Sequence, residues 1–84
     1  MYNYFMLIGK VKEADKKALK LAVNREFGVG EDIIPINVEN LFKFIPLEII
    51  KVGKIINVKG RILVHKDNTI ELVGERIFGM TEGE

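Results

Sequence analysis

The chain has 84 residues, of which 48% are hydrophobic and 30% charged, so it is long enough for one folded domain and too short for two independent cores. It lacks Cys, Trp, Ser and Gln and has one histidine, His65, which excludes disulfides, thiol and serine nucleophiles and Cys/His zinc sites. The formal net charge of +1 is unevenly placed: residues 1–66 carry twelve Lys/Arg against seven Asp/Glu, and residues 67–84 carry one against five. A basic body fits an anionic partner but is also common in proteins without one.

The first third of the chain predicts two strands joined by a polar turn. Tyr2–Val11 is aromatic and aliphatic, has no helix cap and contains Gly9, which marks a bend or bulge. Lys12–Lys17 is the polar turn. The next segment, Ala18–Phe27, contains helix-favouring Ala, Leu and Lys, yet its apolar residues from Leu19 onward alternate with polar ones. We favour a strand there over a helix, because a hairpin needs only the short turn that precedes it.

A third strand and a helix are predicted after a glycine-rich loop. Ile33–Val38 is the strand, and its Pro35 must lie at an edge, an end or a bulge because proline cannot donate a ladder hydrogen bond. Apolar residues recur at helical spacing over Leu41–Lys51, which predicts an α-helix. Pro46 lies within that segment, so we expect the helix either to start near Phe44 or to bend at the proline.

The last third predicts a hairpin and a short tail. Ile55–His65 and Thr69–Phe78 are alternating strands, and Asp67 and Asn68 between them tolerate the left-handed angles of a tight turn. Residues 79–84 are expected to be a frayed tail beyond a single domain of residues 1–78. The order of three strands, one helix and two strands predicts an all-β, five-stranded Greek-key barrel of the OB-fold type, with one α-helix between strands 3 and 4.

Four segments, which together span nearly the whole chain, carry a resemblance to a known family. Leu21–Phe27 is the run Leu-Ala-Val-Asn-Arg-Glu-Phe, and Lys51–Ile62 joins the predicted helix end to a glycine-containing strand. These two segments are similar to the second strand, and to the helix end and fourth strand, of the bacterial single-stranded DNA-binding protein family. Asn3–Val11 and Ile36–Val38 resemble its first and third strands. The chain has no tryptophan and no glycine-rich linker with an acidic C-terminal tail, so it resembles a minimal or divergent member.

The resemblance implies an OB-fold protein without cofactors that binds and protects unpaired DNA, without sequence preference, in replication, recombination or repair. Binding would combine cations that follow the phosphates with rings that stack on bases, so affinity should fall steeply with salt. A domain of this size has little stability to spare, and one site would bind weakly. We therefore expect a homodimer or homotetramer, with the first strand as the contact edge, as the resemblance also implies.

Strand parity selects the outward side chains. In the fourth strand one parity is apolar and should point inward: Ile56, Val58, Ile62 and Val64. The predicted nucleic-acid-binding residues are Lys10, Lys12, Lys20, Asn24, Arg25, Phe27, Asn57, Lys59, Arg61 and His65. No catalytic residue is predicted, and no metal site either, because the lone histidine has no second ligand type at a useful spacing.

The predicted binding cations can also be interpreted as part of a solvated strand face, whose function is to keep the chain in solution. For Lys59 and Arg61 the binding interpretation is stronger, because both lie in a segment that carries the resemblance. Arg25 shares its parity with interior residues unless the strand ends before it, and the alternative to nucleic-acid binding is an ion pair with Glu26 or Glu31.

The rings divide between the core and base stacking. At least one of Phe42 and Phe44 on the helix should be core, and so should one of the neighbours Tyr4 and Phe5. The rings left for stacking are then Tyr2, Phe27 and the other member of the Tyr4/Phe5 pair.

The alternative function is an OB-fold protein-interaction module, with weak or no nucleic-acid binding, that docks a replication or recombination protein as a primosome component does. RNA binding would share the first mechanism. A continuous positive face beside an exposed ring would favour nucleic acid, and an exposed apolar patch near the helix would favour a protein. The chain has no signal-peptide pattern and no apolar run of about 20 residues, so we expect a cytoplasmic protein, in the bacterial cytoplasm or nucleoid, without enzymatic activity.

Overall fold

The computed structural model describes residues 3–25, 28–46 and 50–81, which form five β-strands closed into one barrel. The strands are β1 (Tyr4–Ala14), β2 (Ala18–Asn24), β3 (Glu31–Asn37), β4 (Ile55–Val64) and β5 (Ile70–Thr81). Their order around the barrel is β1-β2-β3-β5-β4, and every neighbouring pair is antiparallel except β3 and β5, which are parallel. This confirms the predicted all-β, five-stranded barrel of the OB-fold type.

The long strand β1 belongs to both halves of the barrel. Its first part, Tyr4–Lys10, pairs with β4, and its last part, Lys10–Ala14, pairs with β2. Gly9 lies at this transition, where a Cβ atom would be 2.6 Å from the carbonyl oxygen of Ala22. The close approach of the two backbones therefore requires a residue without a side chain.

The turn between β1 and β2 is shorter than the predicted polar turn of Lys12–Lys17. β1 continues beyond its predicted end at Val11, with a shift in its register to β2 there. The Asp15 carboxylate accepts hydrogen bonds from the backbone N–H groups of Lys17 and Ala18, at 2.7 and 2.8 Å. One aspartate thus organises the reversal, and the polar residues before it stay in the strand.

The core is aliphatic and comes from the inward parity of the strands. Of the inward residues of β2, Leu19 and Leu21 are fully buried and Val23 is half-buried, which confirms the strand over the helix for this segment. The large side chains with less than 2% exposure are Leu19, Leu21, Ile36, Ile56, Val11, Val38 and Val58. Burial of one aliphatic side chain of this kind contributes about 1.5–3 kcal/mol relative to leaving it in water.

The turn end of the β4–β5 hairpin extends beyond the core of the barrel that the hairpin helps to close. Val64 pairs with Ile70 near the turn and both side chains are exposed, so the prediction that Val64 points into the core is wrong. Parity assigns a side chain to one face of the hairpin, but this face is not covered so far from the barrel. At the turn, Asn68 has a φ of 67° and Asp67 accepts hydrogen bonds from Thr69, which confirms the predicted tight turn.

Between β3 and β4 the described residues contain no α-helix, contrary to the prediction for Leu41–Lys51. Leu41–Lys43 form a single 3₁₀ turn, and residues 47–49 lie outside the described residues. Pro46 has no N–H group to donate, and its ring clashes with the carbonyl group four residues earlier in a helix. Neither predicted form, a helix that starts near Phe44 or a helix bent at Pro46, is present in the described part of this segment.

The ends of β3 and β5 also differ from the prediction. β3 runs over Glu31–Asn37 rather than Ile33–Val38, and β5 extends through Thr81, past its predicted end at Phe78. Among the described residues, β3 pairs with β5 only where Asn37 lies opposite Val73, so Pro35 lies on a largely open edge, as predicted. Among the residues described, no helix is long and apolar enough to cross a membrane.

Candidate nucleic-acid interface

On the outer surface of the barrel, most of the predicted binding residues lie on one of two faces. The β2 face, on the outside of β1, β2 and β3, carries Lys10, Lys12, Lys20 and Asn24. The β4 face, on the outside of β1, β4 and β5, carries Asn57, Lys59 and Arg61. Outside these faces, His65 follows the end of β4, Arg25 follows the end of β2, and Phe27 lies beyond the described residues. The two faces meet along β1.

Carboxylates on neighbouring strands neutralise much of the charge of the β2 face. Lys12 Nζ lies 3.4 Å from Glu31 Oε1, and Lys20 Nζ lies 3.1 Å from Glu13 Oε2. All four side chains are exposed, so each ion pair contributes about 0–1 kcal/mol and a phosphate group can displace the carboxylate at small cost. The β2 face is therefore a surface of mixed charge rather than a cationic groove.

Arg25 lies just beyond the end of β2, so the inward parity of that strand does not apply to it. Its Nε donates to Asp32 Oδ1 at 3.0 Å, and Nη2 lies 3.0 Å from the same oxygen. The prediction named Glu26 or Glu31 as its partner. Glu31 pairs with a lysine of β1 instead, and Glu26 lies outside the described residues.

The β4 face places an aromatic ring beside cations. Tyr4 on β1 is 55% exposed, whereas its neighbour Phe5 is buried in the core. Lys59 Nζ lies 5.7 Å from the centroid of the Tyr4 ring, within the range of a cation–π contact. Arg61, the next outward cation of β4, has its Nε 2.9 Å from Glu75 Oε2. Of the two neighbouring rings that the sequence left open, Tyr4 is the one that a ligand can reach.

Two exposed residues of β5 complete the β4 face, and sequence reasoning missed both. Arg76 lies opposite Lys59, and Phe78 lies opposite Asn57. The pairing register of β4 and β5 shifts between Lys59 and Gly60, so the sequence alone does not show which parity of β5 faces outward there. The spacing of Arg76 and Phe78, a cation and an aromatic residue two positions apart in one strand, was the sequence feature that could have indicated them.

The remaining rings add less than predicted. Phe44 is 84% exposed, so it does not fill the core. Among the described residues of this connection, the buried ones are Val38, Leu41 and Ile50. Tyr2 and the side chain of Phe42 lie outside the described part of the chain, as Phe27 does.

His65 belongs to a hydrogen-bonded bridge rather than to either face. Glu71 on β5 accepts hydrogen bonds from Asn37 Nδ2 at 2.8 Å and from His65 Nε2 at 2.9 Å. These hydrogen bonds, first that from Asn37 and then that from His65, hold the pKa of the Glu71 carboxyl below its ordinary value. Ionised Glu71 therefore connects β3 to the β4–β5 hairpin. Among the described residues, no group of three or more His, Asp or Glu side chains is placed to hold a metal ion.

Two hollows flank these groups. The first, about 530 Å³ in volume, lies beside the Glu71 bridge and is lined in part by Lys17, Ile34, Pro35, Asn37, Ile70 and Leu72; we call it the hairpin cleft. The second, about 450 Å³, lies where the β2 and β4 faces meet and is lined in part by Ile8, Lys10, Asn24 and Glu31. No residue of the hairpin cleft was predicted as a binding residue. The sequence feature that could have indicated the cleft was Pro35, which predicted an open edge of β3.

Comparison with known proteins supports the architecture. No protein-family model matches the chain, and no curated protein matches it in sequence. Its structure is similar to crystal structures of the mitochondrial single-stranded DNA-binding protein Rim1 from S. cerevisiae. One form gives a TM-score of 0.78 at 13% identity over 100% of both chains, and the selenomethionine-labelled second form gives 0.76 at 14% identity over 100% and 99%. An unlabelled second form gives 0.69 at 16% identity over 100% and 98%. At these identities the likeness establishes the fold.

Proposed function

We propose that the chain is a minimal, divergent single-stranded DNA-binding protein that binds and protects unpaired DNA, without sequence preference, in replication, recombination or repair. The observation that carries the proposal is the β4 face, where the exposed ring of Tyr4 lies beside the cation of Lys59. The likeness of the whole chain to a mitochondrial protein of this class supports it. The proposed protein is cytoplasmic and catalyses no reaction.

The β4 face offers both components of sequence-tolerant binding. Lys59, Arg61 and Arg76 can follow the phosphates, and their counterions are released when the strand binds. Tyr4 can receive an unstacked base, which contributes about 1–3 kcal/mol per base. Phe78 on β5 offers a second ring at the other side of the cations. Glu75 must release Arg61 for this, at the small cost of an exposed ion pair.

The β2 face extends the proposed path of the strand but contributes less. Lys10 follows the outward row of β1 from the β4 face, so a strand can pass from one face to the other. Lys12 and Lys20 bind phosphate only in exchange for their carboxylate partners, and the same holds for Arg25. Asn24 contributes an uncharged hydrogen bond. We therefore expect most of the salt dependence to come from the β4 face.

Fluorescence anisotropy of a labelled oligo-dT of about 30 nucleotides tests the proposal. The protein is titrated at several salt concentrations, with duplex DNA and RNA of the same length in parallel. Lys59→Ala/Arg61→Ala should weaken binding about 10-fold or more. It should also make the slope of log affinity against log salt shallower by about 1.4, because two phosphate contacts are lost.

The matched control is Lys43→Ala/Lys51→Ala, which removes the same charge from two exposed residues of the β3–β4 connection. Equal losses in the two double variants would show a general charge effect and contradict the assignment of the β4 face. Absence of binding at tens of micromolar protein in low salt would overturn the proposed function.

Protein docking is the second candidate function, and one observation favours it. Phe44 and Val52 are exposed apolar residues of the β3–β4 connection, the region where an apolar patch was predicted to mark a protein partner. A replication or recombination protein would then be the partner, with weak or no binding of nucleic acid. Absence of binding in the oligo-dT titration would favour protein docking over nucleic-acid binding.

A further inference from the structure

The hairpin cleft exists because β3 and β5 diverge. The two parallel strands pair only at Asn37 and Val73 in the described chain, so the edges of Glu31–Ile36 and Ile70–Leu72 that precede this position lie apart. The resulting volume of about 530 Å³ is within the range of about 300–1,000 Å³ that is typical of small-ligand sites. The cleft is large enough to hold part of a ligand that the β4 face binds elsewhere.

The walls of the hairpin cleft are aliphatic. Ile34, Pro35 and Leu72 line it, and Ile70 at its mouth is 67% exposed. No aromatic side chain is among its lining residues. Such walls can cover the apolar face of a flat ring without the stacking partner that tryptophan would supply.

The polar side chains that line the cleft are Lys17, Asn37, Glu39 and Glu71, and of these Asn37 and Glu71 form a hydrogen-bonded pair. Asn37 Nδ2 uses one hydrogen for Glu71 Oε2, and its second hydrogen has no other acceptor among the described residues. Each oxygen of Glu71 accepts one hydrogen bond and keeps a lone pair. The pair thus presents a donor next to an acceptor, and the Watson–Crick edge of every base carries an acceptor next to a donor.

Lys17 supplies a cation at the same cleft. It is exposed, lines the cleft, and has no ion-pair partner within the described part of the chain. Lys12 and Lys20 of the β2 face, in contrast, must release a carboxylate first. A phosphate group adjoining a base in the cleft can therefore bind Lys17 directly.

We infer that the hairpin cleft receives the Watson–Crick edge of one unpaired base on Asn37 and Glu71, with its ring against Pro35 and Ile70 and its phosphate at Lys17. The inference rests on the proposed function and adds a reason for single-strand selectivity. In a duplex the Watson–Crick edge is occupied by the opposite base, so only an unpaired base can enter. Because all four bases present the same neighbouring groups, the site tolerates any sequence.

An oligonucleotide with a blocked edge tests this inference. Anisotropy titrations compare oligo-dT of about 30 nucleotides with an oligonucleotide of equal length built from N3-methylthymidine. The methyl group removes the N3–H donor and blocks the edge, while the phosphates and the ring faces remain. We expect the unmodified probe to bind about 3- to 10-fold more tightly, as one or two lost hydrogen bonds would require.

Two variants then locate the effect. Glu71→Met should bring the ratio of the two affinities to about one, because it removes the acceptor. Lys59→Ala/Arg61→Ala should weaken both probes and leave the ratio unchanged. If Glu71→Met does not fold, the wild-type protein suffices: thymidine monophosphate should shift the Asn37 side-chain amide signals in a ¹H–¹⁵N spectrum, and its N3-methyl derivative should not.

The outcomes separate this inference from the proposed function. Equal binding of both probes by the wild-type protein, with the dependence on Lys59 and Arg61 retained, would overturn the cleft assignment and leave the function in place. A wild-type ratio that Glu71→Met does not change would also overturn it. Absence of binding to either probe would overturn both.

Discussion

The side chain of Glu71 joins β3 to the β4–β5 hairpin, where the backbone of the described residues supplies a single pairing position. Hydrogen bonds from Asn37 and His65 lower the pKa of the Glu71 carboxyl in the folded protein. Ionised Glu71 therefore adds stability above its unfolded pKa of about 4.3, and this contribution is lost as pH falls through the lower folded pKa. We expect the melting temperature to fall as the pH drops from about 5 to about 2, and to fall less in Glu71→Gln.

Circular dichroism at a series of pH values measures this difference. Asp15 and Asp67 also have a lowered pKa in the fold, through hydrogen bonds from the turns that they organise. Both proteins will therefore lose stability in acid, and the difference between their profiles isolates the contribution of Glu71. Parallel profiles for the wild type and Glu71→Gln would contradict the role of this carboxylate in closing the barrel.

The outward direction of a single side chain in the site could be predicted from the sequence where strand parity alone determines it. Lys59 and Arg61 point outward as predicted, because their apolar neighbours fix the inward face of β4. Their surroundings were not predictable in the same way. The contact of Lys59 with Tyr4 and the ion pair of Arg61 with Glu75 join residues far apart in sequence, and they depend on a register that contains an irregularity.

At the scale of elements, alternation predicted β2, β4 and β5, because a period of two is a local property of the chain, and apolar composition predicted β1 and β3. The predicted helix over Leu41–Lys51 failed because helical spacing of apolar residues does not require that they share a face in the fold. Here Leu41 is buried and Phe44 is exposed although a 3₁₀-type hydrogen bond joins their backbones, and Pro46 has no N–H group to continue a helix beyond that turn. The prediction that Val64 points into the core was wrong for a related reason, since strand parity does not show where along β4 the barrel core ends.

Two substitutions in the β3–β4 connection test this correction. Leu41→Ala should lower the free energy of unfolding by about 2–5 kcal/mol, because it leaves a cavity in the core. Phe44→Ser should change it by no more than about 0.5 kcal/mol, because the ring is exposed. Urea unfolding measures both values. A large loss in Phe44→Ser would show that Phe44 is buried against the barrel, as an amphipathic helix would place it.

At the scale of the whole molecule, β1 is where the binding surface and self-association meet. Tyr4–Ile8 pair with β4 on one edge and with no strand of the described chain on the other. Ile8, 58% exposed, and Met6 extend the outward row of β1 beside that edge. An open edge flanked by apolar side chains is a site for strand pairing between chains. Pairing there would set two β4 faces side by side and link two weak sites into one stronger one.

We therefore propose a homodimer or homotetramer assembled through β1, and Ile8→Glu tests it. Related by symmetry, two such carboxylates would meet at the shared edge, so we expect sedimentation velocity to show a monomer. Affinity for long oligo-dT should fall at least about 10-fold, because linked sites gain about 10²–10⁴ over single ones. Phe44→Glu is the matched control, since it places the same charge on an exposed apolar residue away from β1 and should leave the mass unchanged. A wild-type protein that sediments as a monomer at tens of micromolar would overturn this assembly, and one site per chain would then carry the whole affinity.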